Sequence, residues 1–302
     1  MFQSRDRYGQ NGETLKVSFE FFPPKTDRME EGLWRSISRL APLSPNFVSV
    51  TYGADGSTRE RTHNTVARIL KETALRPAAH LTCVSAARDE VDAIIRSYWD
   101  LGVRHLVALR GDPQGGIGTR YAPHPQGYAN AAELVAGIRK IADFEISVSA
   151  YPEKHPESAT VEADLDMLQA KVDAGANRAI TQFFFDNDLY YRYMDRVLAR
   201  GISVPVTPGI IPIHNFKQIS AFAGRCGTHM PSRIAHRFEG LENDPETLKL
   251  VAATVAAEQV MGLAAQGVTE FHFYTLNRAD LVYAICHLLG LRPVPAAKES
   301  AA

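Results

Sequence analysis

The chain alternates between short apolar runs and longer stretches with helical periodicity. Eight runs rich in β-branched and aromatic residues predict strands: VSFEFF, NFVSVTYG, AAHLTCV, HLVALRGD, ISVSAYPE, RAITQFFFD, VPVTPGII and FHFYTLN. Between most of them lie helical patterns such as RDEVDAIIRSYWDLG and AAELVAGIRKIAD. A strand–helix unit repeated about every 30 residues predicts a (β/α)8 barrel, with a doubly wound sheet as the alternative fold.

The last interval is longer than the others and contains NFKQISAFAGR, SRIAHRFEG and PETLKLVAATVAAEQVMGLAAQG. It therefore predicts extra helices between strands seven and eight. We expect a disordered N-terminal arm over residues 1–15, one catalytic barrel over residues 16–292, and a disordered tail over residues 293–302. The run VAATVAAEQVMGLAA is interrupted by Glu258 and Gln259, and we interpret it as too short to span a bilayer.

Composition narrows the partners and the compartment. The chain of 302 residues is 45% hydrophobic and has a net charge of -1, so nothing in its charge favours nucleic acid or a membrane as a partner. Its three cysteines are far apart and form no CxxC pair, which favours a reduced, cytoplasmic setting over a zinc site. The N-terminal residues contain no apolar segment typical of a signal peptide.

Strand alternation indicates where the polar residues of the strands point. Side chains alternate between the two faces of a strand, and the purely apolar face should pack under the helices. The mixed face then looks into the barrel, near the carboxyl ends of the strands where barrel active sites lie. The side chains expected to converge there are Glu20, Thr51, His80, Asp112, Tyr151, Gln182 and Tyr274.

Several common chemistries lack their motifs. The sequence has no HxH or HExxH motif for a metal, no lysine in the eight runs for a Schiff base, and no GxSxG elbow. The glycines of GDPQGGIGTR follow a strand, but Pro113 and the lack of an immediate helix argue against a dinucleotide fingerprint. A polar, aromatic mouth without a metal or an obvious nucleophile favours redox chemistry on a bound organic cofactor.

A family resemblance makes this interpretation specific. VSFEFFPPK, FVSVTYGA, HLTC, LRGD, AYPEKHPE, DAGANRAITQFFFD, PGIIP followed by NFKQ, and FHFYTLNRA occur in this order. Together they resemble methylenetetrahydrofolate reductase of the short bacterial type, without a regulatory domain. The resemblance implies a barrel that holds FAD non-covalently and reduces methylenetetrahydrofolate to methyltetrahydrofolate with NADH or NADPH. We also expect a homo-oligomer.

The resemblance assigns roles to individual positions. Glu20 matches the general acid, and Asp112 matches an acid near the flavin and the pterin. The residues that resemble substrate contacts are Gln182, Phe222, Tyr274 and Arg278. The residues that resemble flavin contacts are Thr51, Tyr52, His80, Arg110, Gly111, Asp112, Tyr128, Ala129, Tyr151, His155, Asp164 and Lys171. Met167 and Ala170 depart from the pattern, because polar or basic flavin contacts are expected there, and the loop over residues 113–130 is rich in glycine and proline.

Glu20 fits the chemistry that the resemblance implies. Methylenetetrahydrofolate accepts hydride readily only after protonation of its bridging nitrogen opens the five-membered ring. The site therefore needs an acid that keeps its proton near neutral pH, and desolvation by Phe19, Phe21 and Phe22 would favour the protonated form of Glu20. The alternative is a structural glutamate at a strand end that reaches solvent or an arginine. For Asp164 and Lys171 the alternative is a solvated pair on a helix.

Three other functions compete with the reductase. One is a different flavin barrel that oxidises small amines, which would need a carboxylate-binding arginine pair. Another is a demethylase that uses tetrahydrofolate as acceptor and needs no NAD(P)H. The third is a non-catalytic subunit that binds folate or flavin, for which Glu20, Asp112 and Gln182 would serve no chemical purpose.

Overall fold

The computed structural model describes residues 15–52, 59–113, 115 and 119–294. Its strands are all parallel and join into one sheet in the order β7-β6-β5-β4-β3-β2-β1-β9-β8. The strands are Lys16–Phe21 (β1), Val48–Val50 (β2), Pro77–Thr82 (β3), His105–Leu109 (β4), Glu145–Ala150 (β5), Arg178–Thr181 (β6), Val206–Thr207 (β7), Gly209–Ile210 (β8) and Glu270–Tyr274 (β9). The (β/α)8 barrel predicted from the sequence is confirmed.

Helices alternate with the strands along the chain. They are Asp27–Leu40 (α1), Arg59–Glu72 (α2), Arg88–Leu101 (α3), Ala131–Ile141 (α4), Val161–Asp173 (α5), Asn187–Ala199 (α6), Phe216–Arg225 (α7), Ser232–Ala235 (α8), Pro245–Ala265 (α9) and Ala279–Leu288 (α10). Several begin with side-chain caps, for example Thr26 on α1, Asn130 on α4 and Thr160 on α5, which satisfy backbone donors of the first turn. The extra helices predicted before the last strand are α7, α8 and α9.

The seventh strand of the barrel is divided at Pro208. Its first half, β7, pairs with β6, and its second half, β8, pairs with β9, so the strand closes the barrel by changing partner. Proline lacks the N–H that a continuous ladder would use, which explains the break at this residue. A Cβ on Gly209 would lie 2.3 Å from the Thr181 carbonyl oxygen, so glycine is required where the strands approach most closely.

Charged residues close the opposite end of the barrel, where the strands begin. Arg178 forms ion pairs with Glu145 and Glu270, and its guanidinium lies over the ring of Phe47. Phe47 in turn stacks on His272 inside the barrel, with ring centroids 5.6 Å apart. The interior is therefore filled from this end, and the space that remains lies at the carboxyl ends of the strands.

Helix α9 is longer than the apolar run considered in the sequence. It has 21 residues, and among the described helices it is the one long and apolar enough to cross a membrane by length and composition. The sequence-based estimate that this segment is too short was therefore wrong. Helix α9 packs against α6 and α10, and 44% of its apolar segment is buried.

Residues at both ends of the described chain contact the barrel. Leu15 belongs to the main core and is 6% exposed, and the Val294 amide donates to the Pro42 carbonyl at 2.7 Å. The rest of the predicted N-terminal arm and of the predicted tail lies outside the described residues.

Candidate active site

A cavity of about 580 Å³, here called the mouth cavity, opens at the carboxyl ends of the strands. The seven side chains that strand alternation predicted for the mouth all line it: Glu20, Thr51, His80, Asp112, Tyr151, Gln182 and Tyr274. Apolar side chains from three neighbouring strands, Val107, Val148 and Ile180, also line it. The cavity thus combines a few polar groups with an apolar wall, as small-molecule sites usually do.

Glu20 lies between two imidazole rings. Its Oε2 is 3.4 Å from His80 Nε2 and 3.8 Å from His272 Nε2, and all three side chains are at most 10% exposed. Burial lowers the pKa of His80 to about 4, although Glu20 acts in the opposite direction, so His80 is neutral at neutral pH. His80 Nε2 is buried and has no hydrogen-bond partner in the described part of the chain.

The residues that surround Glu20 are not the ones that the sequence suggested. Phe19 and Phe21 are fully buried in the main core and do not line the mouth cavity, because they occupy the opposite face of β1. Of the three flanking phenylalanines, Phe22 alone lines the cavity, and it is 38% exposed. The carboxyl group is therefore shielded by histidines of other strands rather than by its sequence neighbours.

Asp112 is placed by a turn that requires glycine. Gly111 has a φ of 84°, in the left-handed region that other residues rarely adopt. The turn follows β4 directly, and Asp112 lines both the mouth cavity and the neighbouring cavity described below.

Three aromatic rings line one side of the mouth cavity and contact one another. Phe183 contacts Phe222 on α7 and Tyr274 on β9, with ring centroids 5.3 and 6.1 Å apart. The Tyr274 hydroxyl donates to the Thr181 carbonyl at 2.7 Å, so Tyr274 offers mainly its ring to the cavity. Gln182 follows β6, and its Oε1 accepts a hydrogen bond from the Phe183 amide at 3.1 Å.

A second cavity of about 360 Å³, here called the side cavity, adjoins the first. Five residues line both cavities: Tyr52, Leu109, Asp112, Ser149 and Tyr151. The predicted flavin contacts that line the side cavity are Tyr52, Arg110, Gly111, Asp112, Tyr151, His155, Asp164 and Lys171. The two cavities therefore share part of their lining.

Asp164 and Lys171 are buried, so the alternative of a solvated helix pair is wrong. The side chain of Lys171 donates to the Ser149 carbonyl at 2.5 Å, and burial lowers its pKa to about 8 while Asp164 opposes the shift. Asp164 accepts from the Ser158 hydroxyl at 2.9 Å and from the His155 amide at 3.4 Å. Both residues have their charges held in fixed positions.

Three predicted residues line neither cavity. Arg278 is exposed at the start of α10, where its amide donates to the Thr275 carbonyl at 2.9 Å. The Tyr128 hydroxyl donates to Asp92 at 2.7 Å, between helices α3 and α4. The Ala129 amide donates to Glu133 at 3.1 Å, although the next residue, Asn130, does line the side cavity. The structure does not bring these three to the site.

Comparisons with known proteins agree with this architecture. The methylenetetrahydrofolate reductase family model matches residues 6–290. The chain belongs to the methylenetetrahydrofolate reductase family. It is 54% identical over 279 residues to the 5,10-methylenetetrahydrofolate reductase of Salmonella typhimurium and 53% identical over 279 residues to that of Escherichia coli, covering 92% of each chain in both cases. It is therefore an oxidoreductase of folate-dependent one-carbon metabolism.

Two more distant similarities concern a plant relative and a solved structure. Methylenetetrahydrofolate reductase (NADH) 1 of Arabidopsis thaliana is 34% identical over 293 residues, which cover 93% of this chain and 49% of the plant protein. A solved structure of a Clostridium thermocellum protein that binds two copies of 5-methyl-5,6,7,8-tetrahydrofolic acid has a TM-score of 0.62 at 14% identity, covering 93% and 95% of the two chains. That likeness supports the fold alone.

Some residues of the candidate site were missed by sequence reasoning. His272 lies beside Glu20, and its Nδ1 is 2.7 Å from the Ser18 hydroxyl, which fixes the ring. Strand alternation could have found His272, because it shares the inward face of β9 with Tyr274. Glu157, which pairs with Arg110, lies in a loop without periodicity, so only the AYPEKHPE motif pointed to its region.

Proposed function

We propose that the protein reduces methylenetetrahydrofolate to methyltetrahydrofolate with NADH or NADPH, holds FAD non-covalently, and uses Glu20 as the general acid. The observation that carries this proposal is the placement of Glu20 between His80 and His272 in the mouth cavity of a reductase-family barrel. A glutamate that only stabilised the fold would be expected to pair with a cation, whereas His80 is neutral here.

The residues present fit FAD. The side cavity contains the guanidinium of Arg110, which can bind phosphate, and the side chains of Asn130 and His155, which can donate hydrogen bonds to a ligand. Tyr52 and Tyr151 line both cavities and offer aromatic rings against which the flat ring system of a flavin can pack. When bound, FAD would supply the hydride transfer that no side chain can perform.

Glu20 performs the proton transfer in this proposal. The ring of methylenetetrahydrofolate opens when its bridging nitrogen on the aminobenzoate side is protonated, which leaves a cationic iminium as the hydride acceptor. Glu20 gives its proton to that nitrogen and becomes a carboxylate. The buried walls around Glu20 keep water from competing for the same proton.

The remaining side chains position the substrates. Gln182 and Asp112 line the mouth cavity and can hydrogen-bond the polar edge of either the pterin or the nicotinamide. Phe222 on α7 offers a ring against which either flat molecule can pack. Because both substrates use the same cavity, they bind in turn, and the reaction follows a ping-pong order.

Two measurements test the proposal. The purified protein, incubated with FAD and freed of excess ligand, should show the absorption spectrum of a bound flavin. Turnover of methylenetetrahydrofolate should require NADH or NADPH, and double-reciprocal plots at several folate concentrations should be parallel. A protein that takes up no flavin would contradict the cofactor, intersecting lines would contradict the shared site, and turnover without NAD(P)H would favour a demethylase.

A further inference from the structure

Arg110 is held on several sides within the side cavity. Its two terminal nitrogens donate to the two oxygens of Glu157, each at 2.8 Å, and its Nε donates to the Gly111 carbonyl at 3.2 Å. Its guanidinium also lies over the ring of Tyr121, 4.3 Å from the centroid. Such a two-pronged pair is the strongest and most directional contact that an arginine makes with an anion.

The charges in the side cavity do not favour an anionic ligand in this arrangement. Its lining contains three carboxyl side chains, from Asp112, Glu157 and Asp164, and two cations, Arg110 and Lys171. Lys171 is committed to the Ser149 carbonyl, so Arg110 is the cation best placed to receive a phosphate. Glu157 already occupies the forked edge of that arginine, which is the edge that a phosphate would use.

Glu157 can turn away from Arg110 without leaving its carboxylate buried. Its side chain is 27% exposed, so the carboxylate can turn into water once the pair opens. The hydrogen bonds from Arg110 lower the pKa of Glu157 only while the pair is closed. Once the pair opens, the carboxyl group lies in water, where an ordinary glutamate is ionised at neutral pH. The surrounding loop has separate anchors, because the Ser158 hydroxyl and the His155 amide are both bound to Asp164.

We propose that Glu157 is a built-in competitor for the phosphates of FAD, which bind the forked edge of Arg110 only by displacing the Glu157 carboxylate. The inference rests on the proposed function because it takes a flavin dinucleotide as the ligand. It makes Glu157 a residue that weakens cofactor binding, and it attributes the effect to the phosphates rather than to the isoalloxazine ring.

Titrations with two flavins test the inference. Flavin-stripped wild type and Glu157→Gln are titrated with FAD and with riboflavin, which lacks phosphate, and binding is followed by the quenching of flavin fluorescence. Glutamine keeps the size of the side chain but removes its charge. We expect the variant to bind FAD about tenfold more tightly, while riboflavin binds equally to both proteins. A parallel titration with inorganic pyrophosphate should raise the melting temperature of the variant more than that of the wild type.

A matched control separates this effect from a general change of charge. Glu72→Gln removes a comparable contact, Arg68 Nε to Glu72 Oε2 at 2.9 Å, on a helix that lines neither cavity, and it should leave FAD binding unchanged. Equal or weaker binding of FAD to Glu157→Gln would overturn the inference and make Glu157 a support for Arg110. If wild type and variant both bind neither flavin, the proposed function fails as well, so the two failures can be told apart.

Discussion

The mouth cavity and the side cavity adjoin one another, yet their ionisable side chains differ in how strongly they are hydrogen-bonded. In the mouth cavity, Glu20 is 3.4 and 3.8 Å from its two imidazole neighbours, which is beyond a good hydrogen bond. In the side cavity, Glu157 holds Arg110 at 2.8 Å and Lys171 donates to a carbonyl at 2.5 Å. One cavity leaves its ionisable groups loosely partnered, whereas the other binds them firmly.

This difference separates residues that can take part in the reaction from residues that can hold a ligand in place. A loosely partnered acid can turn to a substrate atom and transfer its proton without first breaking a strong bond. A firmly partnered charge cannot do so, but it offers a fixed position for a ligand, and the protein bears the cost of burying it. Changes in the mouth cavity should therefore affect turnover, and changes in the side cavity should affect stability and cofactor binding.

The largest expected effect comes from Glu20→Gln. We expect reduction of the flavin by NADH to stay within a few-fold of the wild type, because that step needs no acid to open a ring. Re-oxidation of the flavin by methylenetetrahydrofolate should slow by about 10²–10⁴-fold, since the transferable proton is missing. Stopped-flow absorbance of the flavin measures the two half-reactions separately.

A glutamate at the other end of the barrel provides the control. Glu270→Gln removes a partner of Arg178 on the face where the strands begin, so it should lower stability without selecting one half-reaction. If Glu20→Gln slows both half-reactions equally, Glu20 is structural and the contrast between the two cavities fails.

Lys171→Met should reveal how much the buried charge in the side cavity lowers the free energy of unfolding. Burial lowers the pKa of Lys171 from 10.5 to about 8, so between these values the unfolded chain binds more protons than the folded protein. The free energy of unfolding therefore rises with pH in this window, and the wild type should gain about 2 kcal/mol over the variant between pH 7 and pH 9.5. Urea unfolding of both proteins at the two pH values measures the difference, in which the titration of other groups cancels. A difference that does not change with pH would mean that Lys171 is well solvated.

Gln182→Ala tests the shared use of the mouth cavity with a smaller effect. The amide is expected to hydrogen-bond whichever substrate is present, so its loss should slow both half-reactions, each by up to about tenfold. This pattern differs from the selective loss expected for Glu20→Gln. Single-turnover traces with NADH and with methylenetetrahydrofolate provide the comparison, and a change in only one of them would assign Gln182 to a single substrate.

Much of the mouth cavity could be predicted from the sequence, because strand alternation links residue position to direction. That rule placed the seven predicted side chains, and it would also have placed His272. It could not show what surrounds a side chain, since the neighbours of Glu20 come from strands distant in sequence. Phe19 and Phe21 were wrongly expected to enclose Glu20, although alternation along β1 already puts them on the opposite face.

The side cavity was harder to predict because loops and helix ends build it. The burial of Lys171 depends on the carbonyl of Ser149 beneath it, which no periodicity in α5 reveals. The pairing of Glu157 with Arg110 joins two loops without a repeating pattern. Tyr128 lies in a recognisable segment, but its hydroxyl turns to Asp92 between two helices. A motif therefore located each segment without fixing the direction of its side chains.

The smallest expected effect concerns Met167, which lines the side cavity on α5 and is 37% exposed. A polar flavin contact is expected at this position, so we predict that FAD is retained weakly and that Met167→Gln slows its release about two- to fivefold, the value of one partly solvated hydrogen bond. The rate at which flavin fluorescence recovers after dilution measures release directly. Leu250→Gln, at a position 70% exposed on α9, adds the same amide away from both cavities. It should not change the rate of FAD release. Unchanged or faster release from Met167→Gln would show that an apolar side chain serves the cofactor better here, and that firm holding in the side cavity depends on its charged residues alone.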